Sequence, residues 1–426
     1  MPRRSSLLTA VLGGLMGGVV LLVGCTSGTT LGSSGTVRLT TPTHGATAGK
    51  PPPPTSTSVT PVTPNGLVTG AGVDDTTISL GLLTDRTADR GFSAGVALWQ
   101  QTVDSTGGIC GRSVTLVPNA TGESPATGYT RIAGSVLGLI TMPSQADSAT
   151  LSAMSGADQI PTLTLAGTSS KLTRDGPVVI GATEDIKAIN AFAYLRSVGK
   201  LPAGSDVGVL TDSSPDAANA LAGARWWAAR NGVSINSQTV GSEAPSDWGQ
   251  VSTILVMAAP AVVEATLRAT ASKVDVITNL DGYDPAVVLA PAGRLLVTLA
   301  APAYGSDNPG AAAVAKAFVA SGRTDPGPDL ISGYGVGAAW GRLLGQACTD
   351  RVLTHAGVTA AMTTVGPASV DSLFGPSDPG LVAGSALPAT RVSSLALADP
   401  RAPAGLRPLI WLQTAPGIAD YVPQQP

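Results

Sequence analysis

Cysteine, histidine, aromatic residues and charge are all scarce in this chain. Three cysteines and two histidines among 426 residues leave little material for a metal site or for His-based catalysis. Charged residues make up 12% and the formal net charge is −3. Nothing supplies the basic footprint that nucleic-acid binding requires, so no nucleic-acid partner is expected. With aromatics at 4%, hydrophobic cores have to be built from Ala, Val and Leu. No Walker loop, paired-glutamate motif or metal-ligand cluster is found, and no cofactor is expected. What is abundant is glycine (52) and proline (33), the mark of many turns. The length is sufficient for two lobes with real cores that need no staple merely to fold.

The amino-terminal stretch has its own logic. Arg3 and Arg4 form a basic head, and an uncharged apolar run follows from Leu7 to Val23 and ends in Leu22-Val23-Gly24-Cys25. This is the layout of a signal peptide. Its last four residues resemble a bacterial lipobox, which implies that the Cys25 thiol receives diacylglycerol and becomes the mature amino terminus. The length of the run leaves an uncleaved membrane helix as the alternative; its glycine content and its stop at a cysteine speak for the lipobox. Residues 1–24 are thus expected to be a lipoprotein signal peptide. Two acyl chains on Cys25 would hold the protein at the outer face of the membrane far better than one. Under either reading the rest of the chain is extracytoplasmic.

Residues 25–72 comprise that cysteine and a segment rich in Ser, Thr, Gly and Pro, including four consecutive prolines at 51–54. Such a segment cannot bury enough apolar surface to offset its ordering entropy. It reads as a disordered, partly extended tether, at most about 3.1 Å per residue where polyproline-like. An O-glycosylated stalk is the compositional alternative.

Beyond Val73 short apolar runs alternate with helical patterns, which argues for parallel sheets with crossover helices. Strands are expected at 78–84, 114–117, 137–142 and 161–165. Phe92, Val96, Trp99 and Val103 recur at helical spacing before Gly107-Gly108, and another helix is expected over 146–157. The series restarts with a strand at 207–210 and a helix on which Ala217, Leu221, Ala224 and Ala228 share a face, closed by Asn231-Gly232. Strands near 235–240, 253–257, 274–278 and 295–299 and a helix over 261–271 follow. Two such runs imply two doubly wound lobes. Helices at 311–320 and 334–350 have no local sheet to cover and are expected to return to the first lobe.

Val73-Asp74-Asp75-Thr76-Thr77-Ile78-Ser79-Leu80-Gly81-Leu82-Leu83-Thr84, then Thr106-Gly107-Gly108-Ile109-Cys110-Gly111-Arg112, resembles the opening of type I periplasmic binding proteins. The nearest branch is the branched-chain amino-acid (Leu/Ile/Val) binding proteins of ABC importers. Ala166-Gly167-Thr168 with Lys171-Leu172-Thr173, Val297-Thr298-Leu299 before Tyr304, Gly333-Tyr334 and the run 358–362 agree in order and spacing. The resemblance spans about 73–412 and rests on collinearity rather than on any single piece. It implies an α/β fold of two doubly wound, Rossmann-like lobes with a hinge and an interlobe cleft. One lobe would comprise 73–185 and 303–386, the other 186–302 and 387–415, with 416–426 as a tail.

The resemblance also implies a site. An amino-acid zwitterion needs hydroxyls and helix-start N–H groups for its carboxylate and an acidic partner for its ammonium. Carried over residue by residue, Ser144, the Ala166 backbone and the Thr168 hydroxyl face the carboxylate, and Asp281 in Asn279-Leu280-Asp281-Gly282 faces the ammonium. Taken alone, each of these residues also reads as a helix cap or a turn former. This sequence departs from the family pattern at the loop after the first strand, Asp85-Arg86-Thr87-Ala88-Asp89-Arg90-Gly91, at Asn119-Ala120 and at Asp212-Ser213-Ser214-Pro215. Helices near Tyr129 and Trp248 look truncated. Arg86 or Arg90 is placed to grip an anionic ligand, the alternative being a solvated surface arginine.

Cys110 and Cys348 remain, an even pair in an oxidising compartment; the resemblance puts both on the first lobe, and a disulfide between them is expected. Gly91-Phe92-Ser93-Ala94-Gly95 fits the nucleophile-elbow formula but lacks the strand that must precede it, and His355 reads as a connector between helices. No enzyme is expected. The function this implies is a lipid-anchored solute-binding protein that delivers a small polar ligand, an amino acid or an analogue, to an ABC permease. The alternative is a sensor or cell-envelope interaction lipoprotein with a degenerate ligand site; a hydrolase is a distant third.

Overall fold

A computed structural model describes residues 66–85, 89–142, 145–165, 167–169, 177–240, 248–288, 293–365, 371–376 and 390–423. Cys25 with the tether, and Arg86, Ser144 and Ala166 among the expected site residues, lie outside the described residues.

After a two-residue strand β1 (Val68–Thr69), the chain alternates strand and helix. The series runs β2 (Thr77–Thr84), α1 (Phe92–Ser105), β3 (Ser113–Pro118), α2 (Pro125–Ile132), β4 (Gly138–Met142), α3 (Gln145–Ala157), β5 (Thr162–Leu165) and β6 (Val178–Ile180). These strands form a five-stranded parallel sheet in the order β3-β2-β4-β5-β6. Both faces are covered, which is why its strands read as continuous apolar runs. Leu80, Leu82 and Ile140 belong to the core under α1, while Leu83 and Leu139 belong to a second cluster with Tyr129, Ile132 and Leu151 of α2 and α3. Each such buried aliphatic side chain contributes about 1.5–3 kcal/mol.

The chain then leaves for a second sheet through α4 (Glu184–Ser197), β7 (Asp206–Thr211), α5 (Pro215–Asn231), β8 (Ser234–Thr239), β9 (Thr253–Met257), α6 (Pro260–Ala269), β10 (Asp275–Asn279) and β11 (Leu295–Leu299). It returns with α7 (Pro309–Ala320), α8 (Leu330–Thr349), β12 (Val352–Leu353), α9 (His355–Val365) and α10 (Asp371–Phe374). Val314, Trp340, Leu343 and Phe374 sit in the same core as Leu80 and Phe92, so these helices do come back to the first sheet. A last passage places β13 (Ser393–Ala398) and β14 (Leu406–Gln413) antiparallel on the second sheet. Its order is β14-β13-β11-β10-β9-β7-β8. Along β9, Leu255 enters the cluster holding Ile189, Phe192 and Trp227, and Ile254 and Val256 enter the one on the opposite face with Val263 and Tyr283.

Local signals explain the boundaries. The Ser214 hydroxyl accepts from Ala217 N to cap α5, Pro215 opens it, and Gly232 at φ 61 ends it, since a left-handed residue satisfies the last carbonyls. Gly107 and Gly108, both at positive φ, follow α1 in the same way. Helices α1 and α8 cross at very short range. A Cβ on Gly95 would lie 2.1 Å from the Leu330 carbonyl oxygen, and one on Gly333 would lie 2.0 Å from that of Phe92. The glycine pattern of Gly91-Phe92-Ser93-Ala94-Gly95 therefore serves helix packing. His355 starts α9, and its Nε2 lies 2.9 Å from the Val136 carbonyl oxygen. Cys110 and Cys348 are joined in a disulfide with Cα atoms 6.0 Å apart, 238 positions apart in sequence. It ties the loop after α1 to the end of α8 and contributes about 2–4 kcal/mol.

Candidate functional site

Strands β4, β5, β7, β9, β10 and β11 all point their carboxyl ends at one space, a cleft of about 1090 Å³. Open α/β sheets bind ligands at this end of their strands, and the volume lies at the upper limit for drug-sized ligands. Met142 and Leu165 line it from the first sheet; Met257, Asn279 and Thr298 line it from the second. The chain passes between the sheets beside it, at Gly181–Thr183 and just after Leu299. Gly181 has φ 85, a conformation that favours glycine.

Charge gathers at the cleft in a chain that has little of it. Arg90, in the loop before α1, donates from Nη2 to Asp281 Oδ1 at 2.9 Å and from Nε to Asp329 Oδ2 at 3.1 Å. Asp281 follows β10 of the second sheet and Asp329 immediately precedes α8, which packs on the first, so one guanidinium clasps both walls. The Asp329 side chain is 2% exposed, against 60% for Asp281. Burial pushes the Asp329 carboxyl up to about 6 against the pull of Arg90.

A second group lies at the first crossing. Lys187 Nζ donates to Glu184 Oε1 at 2.5 Å, and Asn279 Nδ2 donates to the same oxygen at 3.1 Å. Both ions are buried. Desolvation raises Glu184 to about 7, with Lys187 opposing and the nearby Asp216 charge adding to the rise. Burial works against the Lys187 charge, but Glu184, Asp281 and Asp216 together hold it firmly protonated. Asp216, in the first turn of α5, packs against Gly167, where a Cβ would come within 2.4 Å of its carboxylate. Next to it, Asn219 Nδ2 donates to Ser169 Oγ at 2.6 Å, a further contact between the loop of the first sheet and α5.

The expected site residues fall out unevenly. Asp281 and Arg90 line the cleft. Arg90, expected either to grip an anionic ligand or to be a solvated surface arginine, is 21% exposed and pairs with two carboxylates. Asp281, assigned to a ligand ammonium, gives one oxygen to Arg90. Thr168 is buried, 3% exposed, and Gly167 rather than Thr168 belongs to the cleft lining. Asn119, one of the departures, is structural: its side chain accepts from Thr84 N and donates to the Thr84 and Glu123 carbonyls. Glu184, Lys187, Asp216, Asn279 and Asp329 were not singled out from sequence. The signal was there in Glu184-Asp185-Ile186-Lys187, three charges in four positions directly after a strand in a charge-poor chain.

Two doubly wound sheets that face each other across a polar cleft, with the chain passing repeatedly between them, define a two-lobed ligand-binding scaffold. The chain belongs to the periplasmic binding protein family: the family model described as Periplasmic binding protein matches residues 77–381. No curated protein sequence matches, but solved structures share the fold. A fatty acid ABC transporter substrate-binding protein from Thermomonospora curvata is similar with a TM-score of 0.74 at 22% identity, over 85% of this chain and 98% of that one. A branched-chain amino acid ABC transporter protein from Thermus thermophilus with bound valine gives 0.63 at 14%, over 81% and 98%. A solute-binding protein of an ABC transporter from Rhodopseudomonas palustris HaA2 in complex with p-hydroxybenzoic acid gives 0.62 at 14%, over 81% and 100%. Family membership implies an extracytoplasmic location. Among the described residues no helix is long and apolar enough to cross a membrane.

Proposed function

We propose that this protein is a lipid-anchored solute-binding protein that takes up a small ligand in the interlobe cleft and presents it to an ABC permease. The observation that carries this reading is the cleft itself: a space of about 1090 Å³ at the carboxyl ends of two sheets, lined by charged and apolar groups from both. The neighbours' printed ligands, valine in one and p-hydroxybenzoic acid in another, agree in kind but differ in chemistry, and the fold does not choose between them. The lipid anchor rests on Leu22-Val23-Gly24-Cys25. Replacing Cys25 with Ala should move the expressed protein from the detergent phase to the aqueous phase on Triton partitioning; retention in detergent would favour a membrane helix instead.

A thermal-shift screen over amino acids, amines, amides and carboxylates tests the binding function. A ligand that binds only the folded protein stabilises it by about 2.7 kcal/mol at a hundred times its Kd, a rise easily read for a body of this size. At least one compound class should raise Tm in a saturable manner. One observation favours the alternative, a sensor or envelope-interaction protein with a degenerate site: Arg90 already occupies an oxygen of Asp281. A flat response across every class would move the reading there.

A further inference from the structure

A cleft between two lobes has to open and shut, and on the solute-binding reading above, whatever holds it shut belongs to its function. At the first crossing the lobes meet through buried groups. Glu184 N donates to the Gly167 carbonyl oxygen at 2.6 Å, and Asn219 Nδ2 donates to Ser169 Oγ, both side chains being buried. Such contacts cannot part without stranding polar groups away from water, which suits a pivot.

The contact between Arg90 and Asp281 is of another kind. Arg90 is fixed to its own lobe by backbone and side chain alike. Its carbonyl oxygen accepts from Asp329 N at 3.0 Å, and a Cβ on Gly327 would come within 2.0 Å of that same oxygen. Its φ is 27, in the left-handed region that a residue other than glycine adopts only where its surroundings impose it. Nε is taken by the buried carboxylate of Asp329, and Nη2 reaches across to Asp281 Oδ1 on the other lobe. Parting the lobes costs Arg90 this tip contact but not its anchor. Asp281, 60% exposed, then returns to water, so neither charge is stranded. An exposed ion pair is weak enough to break in every cycle, yet it shifts a two-state equilibrium by about two- to fivefold. We propose that Arg90 is an interlobe latch: an arm of the first lobe, anchored on Asp329, whose tip catches Asp281 of the second and holds the cleft shut. Opening for a solute then begins with the release of Asp281.

Spin labels at two exposed positions, Val319→Cys on the first lobe and Val287→Cys on the second, report lobe separation by pulsed electron–electron distance measurement. The full chain carries Cys25→Ala for this purpose, and Cys110 and Cys348 are already joined. At low ionic strength Asp281→Asn should raise the share of the longer distance about two- to fivefold while leaving Tm unchanged. Sodium chloride at about 1 M should bring the unsubstituted latch to the same distribution and leave the variant where it was, because salt screens an exposed pair. Asp329→Asn should instead lower Tm, since it removes the buried anchor. An unchanged distribution in Asp281→Asn, an equal response of both chains to salt, or a larger loss of Tm in Asp281→Asn than in Asp329→Asn overturns the latch. No solute enters this experiment, so its failure leaves the solute-binding reading to the thermal-shift screen. A flat screen beside shifted distances strikes the binding reading and keeps the latch.

Discussion

One guanidinium, that of Arg90, joins Asp281 and Asp329 across the cleft. A turn acid after a strand was legible as a cleft residue, because strand ends in α/β sheets face the crevice. That an arginine nearly two hundred positions earlier would take it was not, since nothing local encodes a pairing across the cleft. For Thr168 the sequence leaves the direction open, since a hydroxyl after a strand can point to ligand or to protein; the residue is buried, 3% exposed. The buried acids make a pH prediction. Glu184 is raised to about 7 and Asp329 to about 6, and Asp185 is also raised, in each case chiefly by burial. The folded protein therefore keeps protons that the unfolded chain has lost, and stability falls as pH rises through the window from about 4 to about 7. Each unit of raised pKa corresponds to about 1.4 kcal/mol. The groups facing Glu184 are Lys187, Asp216 and Asn279; Lys187 is held protonated throughout that window and Asn279 does not ionise. The urea midpoint should decline from about pH 5 to about pH 8, and Glu184→Gln should flatten that decline. A midpoint that climbs steadily over the same range would contradict the assignment.

Strands and helices were legible wherever burial was one-sided or a run was short and wholly apolar. Strands β9 and β11 fall on the expected 253–257 and 295–299, and α1 and α5 end at the expected glycines. Helix α4 escaped because residues 184–192 are buried on every side, so no amphipathic period survives to be read. Strands β13 and β14 escaped for opposite reasons: β13 is an Ser-, Leu- and Ala-rich run of low strand propensity, and β14 carries Pro408, which restricts it to the sheet edge it occupies. The α1–α8 crossing yields a clean test. Alanine in a helix is favoured over glycine by about 1 kcal/mol, but at Gly95 the new Cβ would lie 2.1 Å from a backbone oxygen. Repulsion should win, and Gly95→Ala should lose about 1–3 kcal/mol. Gly345→Ala, on the exposed side of α8 with nothing within 4 Å, should be neutral or stabilising. Equal effects in chemical denaturation would refute the close-packing explanation of the glycine motif.

At the scale of the whole molecule, fold class was the most legible property, because collinear strand, turn and helix signals over most of the chain are harder to produce by chance than any one motif. Function was less legible, since the same scaffold carries different ligands in its relatives and the specificity lies in a few side chains from distant segments. The account stands or falls on the cleft as the place of binding. The most direct measurement is hydrogen–deuterium exchange with and without whichever solute raises Tm. Both walls should gain protection together, at residues 279–285 of one lobe and 324–329 of the other, because a ligand held between lobes must slow opening of each. Protection confined to a surface remote from these segments, or on one wall alone, would contradict it.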